Sequence, residues 1–348
     1  MLRCCRPEPA LTMPTQSTAR RRCLRLALQL SALVALLPLA LVQAQAQAFP
    51  QAGKPIRIIV PFPAGGQTDI QARAMAPRLQ ASLGVPVIVD NKPGASTFIG
   101  TQDLVRAAPD GHTLLYTIGV TVMQNPHLYS KVPYDAFKDL APVMFVARSG
   151  TILVVPASAP YNSVKELVAY AKANPGKLNF GSFSNGSASH LYGEMMKEAA
   201  GIDMVHIPFK GSADAGTALI GNQVQLLFDG PTTAIAMAKG GRVKMLGVTD
   251  KARYGAVPEV PTMAEGGVPG LDLDGGMMLY APGKTPREIV LKVNEEVAKA
   301  LRDPAVNALF VSGGTEVVAS SPEALGELNR RGSDRWGAVI RQLGIRLD

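Results

Sequence analysis

Three short turns hold the residues of this chain best suited to chemistry. Residues 56–69 read IRIIVPFPAGGQTD. An apolar run ends at Pro61, a turn through Phe62, Ala64, Gly65 and Gly66 follows, and Thr68 and Asp69 open a helical pattern. The first turn of a helix has unpaired N–H groups and a partial positive charge, which suit an anion. Glycine lets that anion approach the backbone. Residues 178–190, LNFGSFSNGSASH, repeat the strand–turn–helix scheme with Ser182, Asn185, Gly186 and Ser187 in the turn. Their side chains can cap the helix or donate to a carboxylate. Residues 205–212, VHIPFKGS, form a third case, with Lys210 beside Gly211. Lys210 reads either as a solvated surface group or as an anion contact.

Two acids accompany these turns. Asp69 in the first helical turn competes with an anion for the same N–H groups, so a dipole-complementing cap is favoured over direct contact. Asp229 ends the apolar run 223–228 and precedes Gly230. It reads either as a group receiving a ligand hydroxyl or amine, or as a cap for the helix beyond; its place at a strand's carboxyl end favours the ligand role.

Other chemistries lack their signatures. His112, His127, His190 and His206 form no His-x-x-x-His pair, so no metal site is expected. No Gly-x-Ser-x-Gly elbow is present. Gly65-Gly66 is neither a dinucleotide loop nor a phosphate loop of the Gly-Lys-Ser/Thr kind. Neither a cofactor nor catalytic residues are expected. A hydrolase using Ser187 with His190 lacks an orienting acid. Asp272 and Asp274 read as solvated, and Met277 and Met278 as packing residues.

The elements that must position these turns follow a leader. Residues 1–48 have a basic region with Arg20, Arg21, Arg22 and Arg25, then an apolar run from 26 to 42 and small-x-small sites at 44–48. This reads as a signal peptide cleaved near residues 46–48, with Met1 or Met13 as its start. The export route is either the general secretory or the twin-arginine one. The leader holds six of the 35 basic residues and one of the 27 acidic ones, which leaves 29 and 26, a net charge of +3. No basic run with interleaved aromatics remains, which argues against nucleic acid. Cys4, Cys5 and Cys23 all lie in the leader, so the mature chain has no disulfide or thiolate chemistry. About 300 residues suffice for two lobes held by their cores.

Strand-like runs at 85–89, 113–116, 151–155, 177–180, 204–207, 223–228 and 243–248 alternate with helical patterns at 163–173, 190–200, 212–220 and 286–301. This predicts an α/β fold with mainly parallel sheets. Ligands in such sheets sit beyond the carboxyl ends of the strands. The chain could cross between lobes at 147–160 and at 266–282, a layout that permits hinge closure. The expected bounds are 49–150 plus 277–348 for one lobe and 151–276 for the other.

Residues 54–69, Asn91-Lys92-Pro93-Gly94-Ala95, Ala108-Pro109-Asp110-Gly111, Asn125-Pro126-His127-Leu128-Tyr129, residues 205–211 and Val257-Pro258-Glu259-Val260-Pro261-Thr262 closely resemble the substrate-binding proteins of tripartite tricarboxylate transporters, the Bug family. The likeness covers essentially all of the mature chain. It implies two Rossmann-like α/β lobes of the type II periplasmic-binding-protein kind, joined by a two-crossing hinge. It implies a periplasmic, monomeric receptor that holds a small organic acid between residues 62–69 and 182–190. Delivery to integral membrane permease subunits is also implied; a sensor kinase is the alternative partner. The chain departs from the family pattern at Gly230, where an Asn is common, at the bulky Phe183, and in the segment Gly275-Gly276-Met277-Met278-Leu279-Tyr280. These departures suggest an altered ligand range.

Overall fold

The computed structural model describes residues 49–273 and 275–348. The leader read at residues 1–48 and the Asp274 carboxylate lie outside the described residues.

The first half of the chain runs β1 (Ile56–Val60), α1 (Gln67–Leu83), β2 (Val87–Asn91), α2 (Phe98–Arg106), β3 (Thr113–Ile118), the short α3 (Asn125–Leu128) and β4 (Leu140–Arg148). The chain then crosses into β5 (Ile152–Pro156), α4 (Val164–Ala173), β6 (Leu178–Ser182), α5 (Ala188–Ala200), β7 (Met204–Pro208), α6 (Ser212–Ile220), β8 (Leu226–Asp229), α7 (Pro231–Lys239) and β9 (Val243–Val248). It returns through β10 (Gly276–Pro282), α8 (Arg287–Arg302), α9 (Pro304–Ser312), β11 (Glu316–Val317) and α10 (Pro322–Leu343). Two sheets result, β11-β4-β10-β3-β1-β2 and β7-β6-β8-β5-β9. The fold is the two-lobed α/β arrangement expected.

The sheets are mixed rather than mainly parallel. β1 pairs in parallel with β2 and β3, and β6 with β7 and β8. β10 runs antiparallel to β3 and β4, and β5 antiparallel to β8 and β9. The crossings explain the difference. β5 and β10 each enter their sheet from the other lobe, so their amino ends lie where the parallel strands have their carboxyl ends. Periodicity reports that a segment is a strand, not which way it runs.

Helices cover both faces of each sheet, as buried apolar runs require. Met75 and Leu79 of α1 pack with Val293 and Val297 of α8 on one face of the larger sheet, and Leu219 and Ile235 of α6 and α7 cover one face of the smaller. A third cluster spans both lobes and contains Leu115, Leu153, Phe180, Leu191 and Trp336. Trp336 of α10 meets Tyr192 of α5 with ring centroids 5.5 Å apart. Gln342 on the same helix donates to Glu198 at 3.0 Å. The C-terminal helix thus ties its own sheet to the opposite lobe, which the sequence reading did not anticipate.

Candidate functional site

A cavity lies where the carboxyl ends of the parallel strands from both lobes converge. It has about 80 Å³ of room for the centres of water-sized molecules, enough for several waters or one small organic molecule. From the first lobe it is lined by Phe62, Pro63, Gly66, Gln67, Thr68, Val120 and Gln124. Phe183, Ala188, Tyr192, Gly211, Ser212 and Gly230 line it from the second. The crossings contribute Ser149, Gly150, Thr151, Gly275 and Gly276, and the wall is completed by Met277 and Trp336. No lining residue is acidic, basic or a histidine.

Four helices begin at this cavity, at the N-caps Gly66, Ser187, Gly211 and Gly230, and none has a side-chain cap. Elsewhere α4, α9 and α10 are capped by Ser163, Asp303 and Ser321. Uncapped first turns present N–H groups and the positive end of the helix dipole, which favour an anion.

In the first lobe the turn is braced from outside the cavity. The Gly65 N–H donates to Asp69 Oδ2 at 2.9 Å, and Arg73 Nε donates to Asp69 Oδ1 at 2.9 Å. Burial works against this carboxylate, but Arg73 and the Gly65 amide hold it below its usual range. Arg73 continues to Asn91, whose amide donates to the Phe62 carbonyl. Gly65 has φ 83°, a conformation that costs glycine little. Asp69 therefore shapes the turn and occupies the Gly65 N–H.

In the second lobe the serine turn is closed on itself. Ser182 Oγ pairs with His206 Nε2 at 2.7 Å, Ser187 Oγ donates to the Ser184 carbonyl at 2.6 Å, and the Gly186 N–H donates to His190 Nδ1 at 3.1 Å. His190 and His206 stack with centroids 3.7 Å apart and planes at 9°. Burial first, then Lys197, pushes His190 down to about 4. Burial, then His190 and Lys197, pushes His206 down to about 3. Both imidazoles are neutral supports of the turn. Ser187 and His190 are not paired with each other, so the arrangement a hydrolase would need is not formed.

The two lobes meet closely around the cavity. A Cβ at Gly211 would lie 2.8 Å from Pro63 Cδ, and one at Gly230 would lie 2.2 Å from Gln67 Oε1. Ser96 Oγ donates to the Asn185 carbonyl across the cleft at 3.1 Å. Ser96 itself sits in a left-handed run, Ala95, Ser96 and Thr97, with φ of 45°, 48° and 78°.

Of the residues singled out from the sequence, Phe62, Gly66 and Thr68 line the cavity. Ala64, Gly65 and Lys210 are exposed and lie outside its lining. Ser182, Asn185, Gly186 and Ser187 form the turn behind Phe183 rather than the wall itself. Asp229 is fully buried behind Gly230 and accepts from Thr233 Oγ1 at 2.5 Å. Burial raises it to about 6, against the pull of Thr233, Ser212 and the Gly230 amide. Its Oδ1 has no partner among the described residues, and neither does Gln124 Oε1 in the cavity wall. Gln67, Gln124, Ser149, Ser212, Tyr192 and Trp336 escaped the sequence reading. Gln67 adjoins Gly66, and Ser212 adjoins Gly211, so proximity to those glycines was the available signal. Gln124 lies in a wide turn of π type, Val120–Gln124, a geometry frequent at functional sites but unmarked in the residues. Met277, read as packing only, is buried and also lines the cavity.

Among the described residues no cluster of three metal-ligating side chains occurs, and no helix is long and apolar enough to cross a membrane.

A family profile described as tripartite tricarboxylate transporter family receptor matches residues 71–345. Protein BugT of Bordetella pertussis is 33% identical over 301 residues, which are 84% of this chain and 90% of that protein. The solved structure of R. palustris Rpa4515 with adipate is 31% identical, with a TM-score of 0.82 over 86% of this chain and 99% of that one. MatC from Rhodopseudomonas palustris with bound malate is 29% identical, with a TM-score of 0.78 over 82% of this chain and 98% of that one.

Proposed function

The chain belongs to the tripartite tricarboxylate transporter receptor family, and from that premise we propose that it closes its two lobes on a small organic carboxylate and delivers it to an integral membrane permease. The family is one of exported solute-binding receptors rather than enzymes. In this reading the lobes comprise residues 49–150 with 277–348, and 151–276, and the leader at 1–48 directs export to the periplasm.

The observation that carries the reading is the meeting of four uncapped helix starts in one cavity with no charged side chain in its wall. The open N–H groups of residues 66–68 are the proposed donors from the first lobe. Gly211, Ser212 and the segment after Gly230 supply those from the second. Ser182, Asn185, Gly186, Ser187 and Lys210 are assigned indirect roles, because they support the turns instead of lining the cavity. Charge-assisted hydrogen bonds of this kind are worth about 1.5–3 kcal/mol each. The bound adipate and malate of the two solved relatives agree with an organic acid as ligand.

Isothermal titration of the purified, ligand-stripped protein against mono-, di- and tricarboxylates tests the binding step. Saturable heat with at least one acid is expected; a folded protein that binds none would refute it. Delivery is tested by uptake of the bound acid in cells with and without the receptor.

A further inference from the structure

Ser96 joins the two lobes beside the cavity without lining it. Resting on the receptor reading above, we infer that the strained run Ala95–Thr97 is a latch. It holds the Ser96 hydroxyl against the Asn185 carbonyl of the opposite lobe and thereby sets how long the closed, ligand-bound state lasts.

Three observations lead there. First, Ala95, Ser96 and Thr97 are three successive non-glycine residues in the left-handed region. Residues with a Cβ enter that region singly rather than in runs, and such strain persists only where the surroundings impose it. Here they do. Asn125 Nδ2 donates to the Ser96 carbonyl at 2.8 Å, Thr97 Oγ1 pairs with Thr121 Oγ1 at 3.0 Å, and Thr101 Oγ1 donates to the Thr97 carbonyl at 2.9 Å. Thr97, Thr101, Thr121 and Asn125 are all buried, and all belong to the first lobe. Opening the cleft therefore breaks the Ser96 bond but leaves the run as it is. The hydroxyl is held ready, and closure costs little ordering at this contact.

Second, the hydroxyl is aimed and polarised. Ser96 Oγ gives its one proton to the Asn185 carbonyl at 3.1 Å, so the Tyr129 hydroxyl 2.7 Å away donates to Ser96 Oγ. A donor that also accepts is strengthened by the chain of bonds. The Phe98 ring meets Tyr129 edge-on, with centroids 5.0 Å apart, and fixes its direction. Neither Ser96 nor Asn185 lines the cavity, so the bond acts on closure and not on the ligand.

Third, the serine turn is shaped to receive this contact. The Asn185 carbonyl accepts from Ser184 Oγ at 3.4 Å within the turn, which leaves its second lone pair for Ser96. At the next residue, a Cβ on Gly186 would lie 2.6 Å from Leu128 Cδ1 and 3.0 Å from Leu347 Cδ1. The first lobe thus seats against the backbone of the turn at two adjacent positions.

The test uses Trp336, the single tryptophan of the sequence. It lies in the cavity wall against Tyr192 of the other lobe, so its emission follows closure. Stopped-flow fluorescence and calorimetry with adipate, malate and citrate are run on the purified, ligand-stripped protein and on Ser96→Ala and Ser96→Gly. Both variants lose the hydroxyl, but only Ser96→Gly also relieves the left-handed strain. Both are expected to bind about threefold to tenfold more weakly, through faster dissociation at an unchanged association rate. Ser96→Gly should nevertheless melt at least about 2 °C above Ser96→Ala. Affinity that follows the melting temperature, with Ser96→Gly binding as tightly as the unaltered protein, would reduce Ser96 to a structural role and overturn the inference. If none of the three acids binds, the radius of gyration of the acid-free proteins in solution decides. A larger value in Ser96→Ala than in the unaltered protein supports the latch, and equal values overturn it. A failed latch leaves the receptor reading intact; that reading falls only if the whole carboxylate panel fails to bind.

Discussion

The glycine turn of the first lobe and the serine turn of the second are alike in sequence scheme and opposite in how they use their polar groups. At residues 62–68 one acid, Asp69, takes the Gly65 N–H and leaves those that follow open at the cavity. At residues 182–190 the hydroxyls of Ser182, Ser184 and Ser187 and the Gly186 N–H are all bonded within the turn or to the stacked histidines. Three of its four hydroxyls are thus not on offer; the fourth, Ser189 Oγ, is buried with no partner among the described residues. In the second lobe the open groups are the backbone N–H groups of the helix starts at Ser187, Gly211 and Gly230, not the hydroxyls of the serine turn.

The strongest way to break this comparison is to obstruct one of those starts. Gly211 has φ 178°, an extended conformation open to any residue, so Gly211→Ala imposes no backbone strain. Its Cβ would press on the Pro63 ring at 2.8 Å. Overpacking of this sort costs about 1–3 kcal/mol, so affinity should fall about tenfold to a hundredfold while the unliganded protein melts as before. Titration calorimetry with solution scattering would check it; unchanged affinity would mean that the lobes do not close as described.

Acidification separates the two turns next. His190 and His206 have pKa values lowered to about 4 and about 3, from 6.5. An unfolded chain binds more protons than the folded one below pH 6.5, so stability present above that pH is lost as the pH falls. Each histidine can remove up to about 1.4 kcal/mol per pH unit in that window. Asp229, raised to about 6, works in the other direction: its burial penalty lessens as it takes up a proton below that pH. The melting temperature should therefore fall from pH 7 to pH 5, and fall more steeply in Asp229→Asn. Asp69, held below its usual range, leaves the first turn unaffected there. Proton-exchange protection should accordingly drop around residues 182–190 before residues 62–69.

A smaller effect tests the serines directly. Ser182→Ala leaves His206 Nε2 without its partner and should lower stability by about 1 kcal/mol. Ligand affinity should change by less than about threefold, since Ser182 lies outside the cavity lining. A large loss of affinity with unchanged stability would restore the hydroxyl to direct contact. Ser321→Ala is the remote control. It removes the cap on Ala324, should cost about 1 kcal/mol of stability, and should leave binding unchanged.

Much of the fold was legible in the residues. The run 243–248 and the helix 212–220 appear as read, and Ser163 marks its helix start as a cap should. Apolar periodicity and turn residues are local properties, so they survive in one dimension. Strand direction was not legible, nor was the reach of α10 across to α5, because both depend on where distant segments pass one another.

For the site the division is sharper. By itself the sequence determined that strands end in glycine- and serine-rich turns, that helices begin there, and that residues 49–348 contain no thiol and little net charge. Those follow from residue type and spacing. Only the tertiary structure decided which polar groups stay open. Ser182 is satisfied by His206, 24 residues away, and the wall draws Gln124 and Trp336 from segments more than 200 residues apart. A hydrogen bond satisfied by a distant partner looks, in sequence, the same as one left for a ligand.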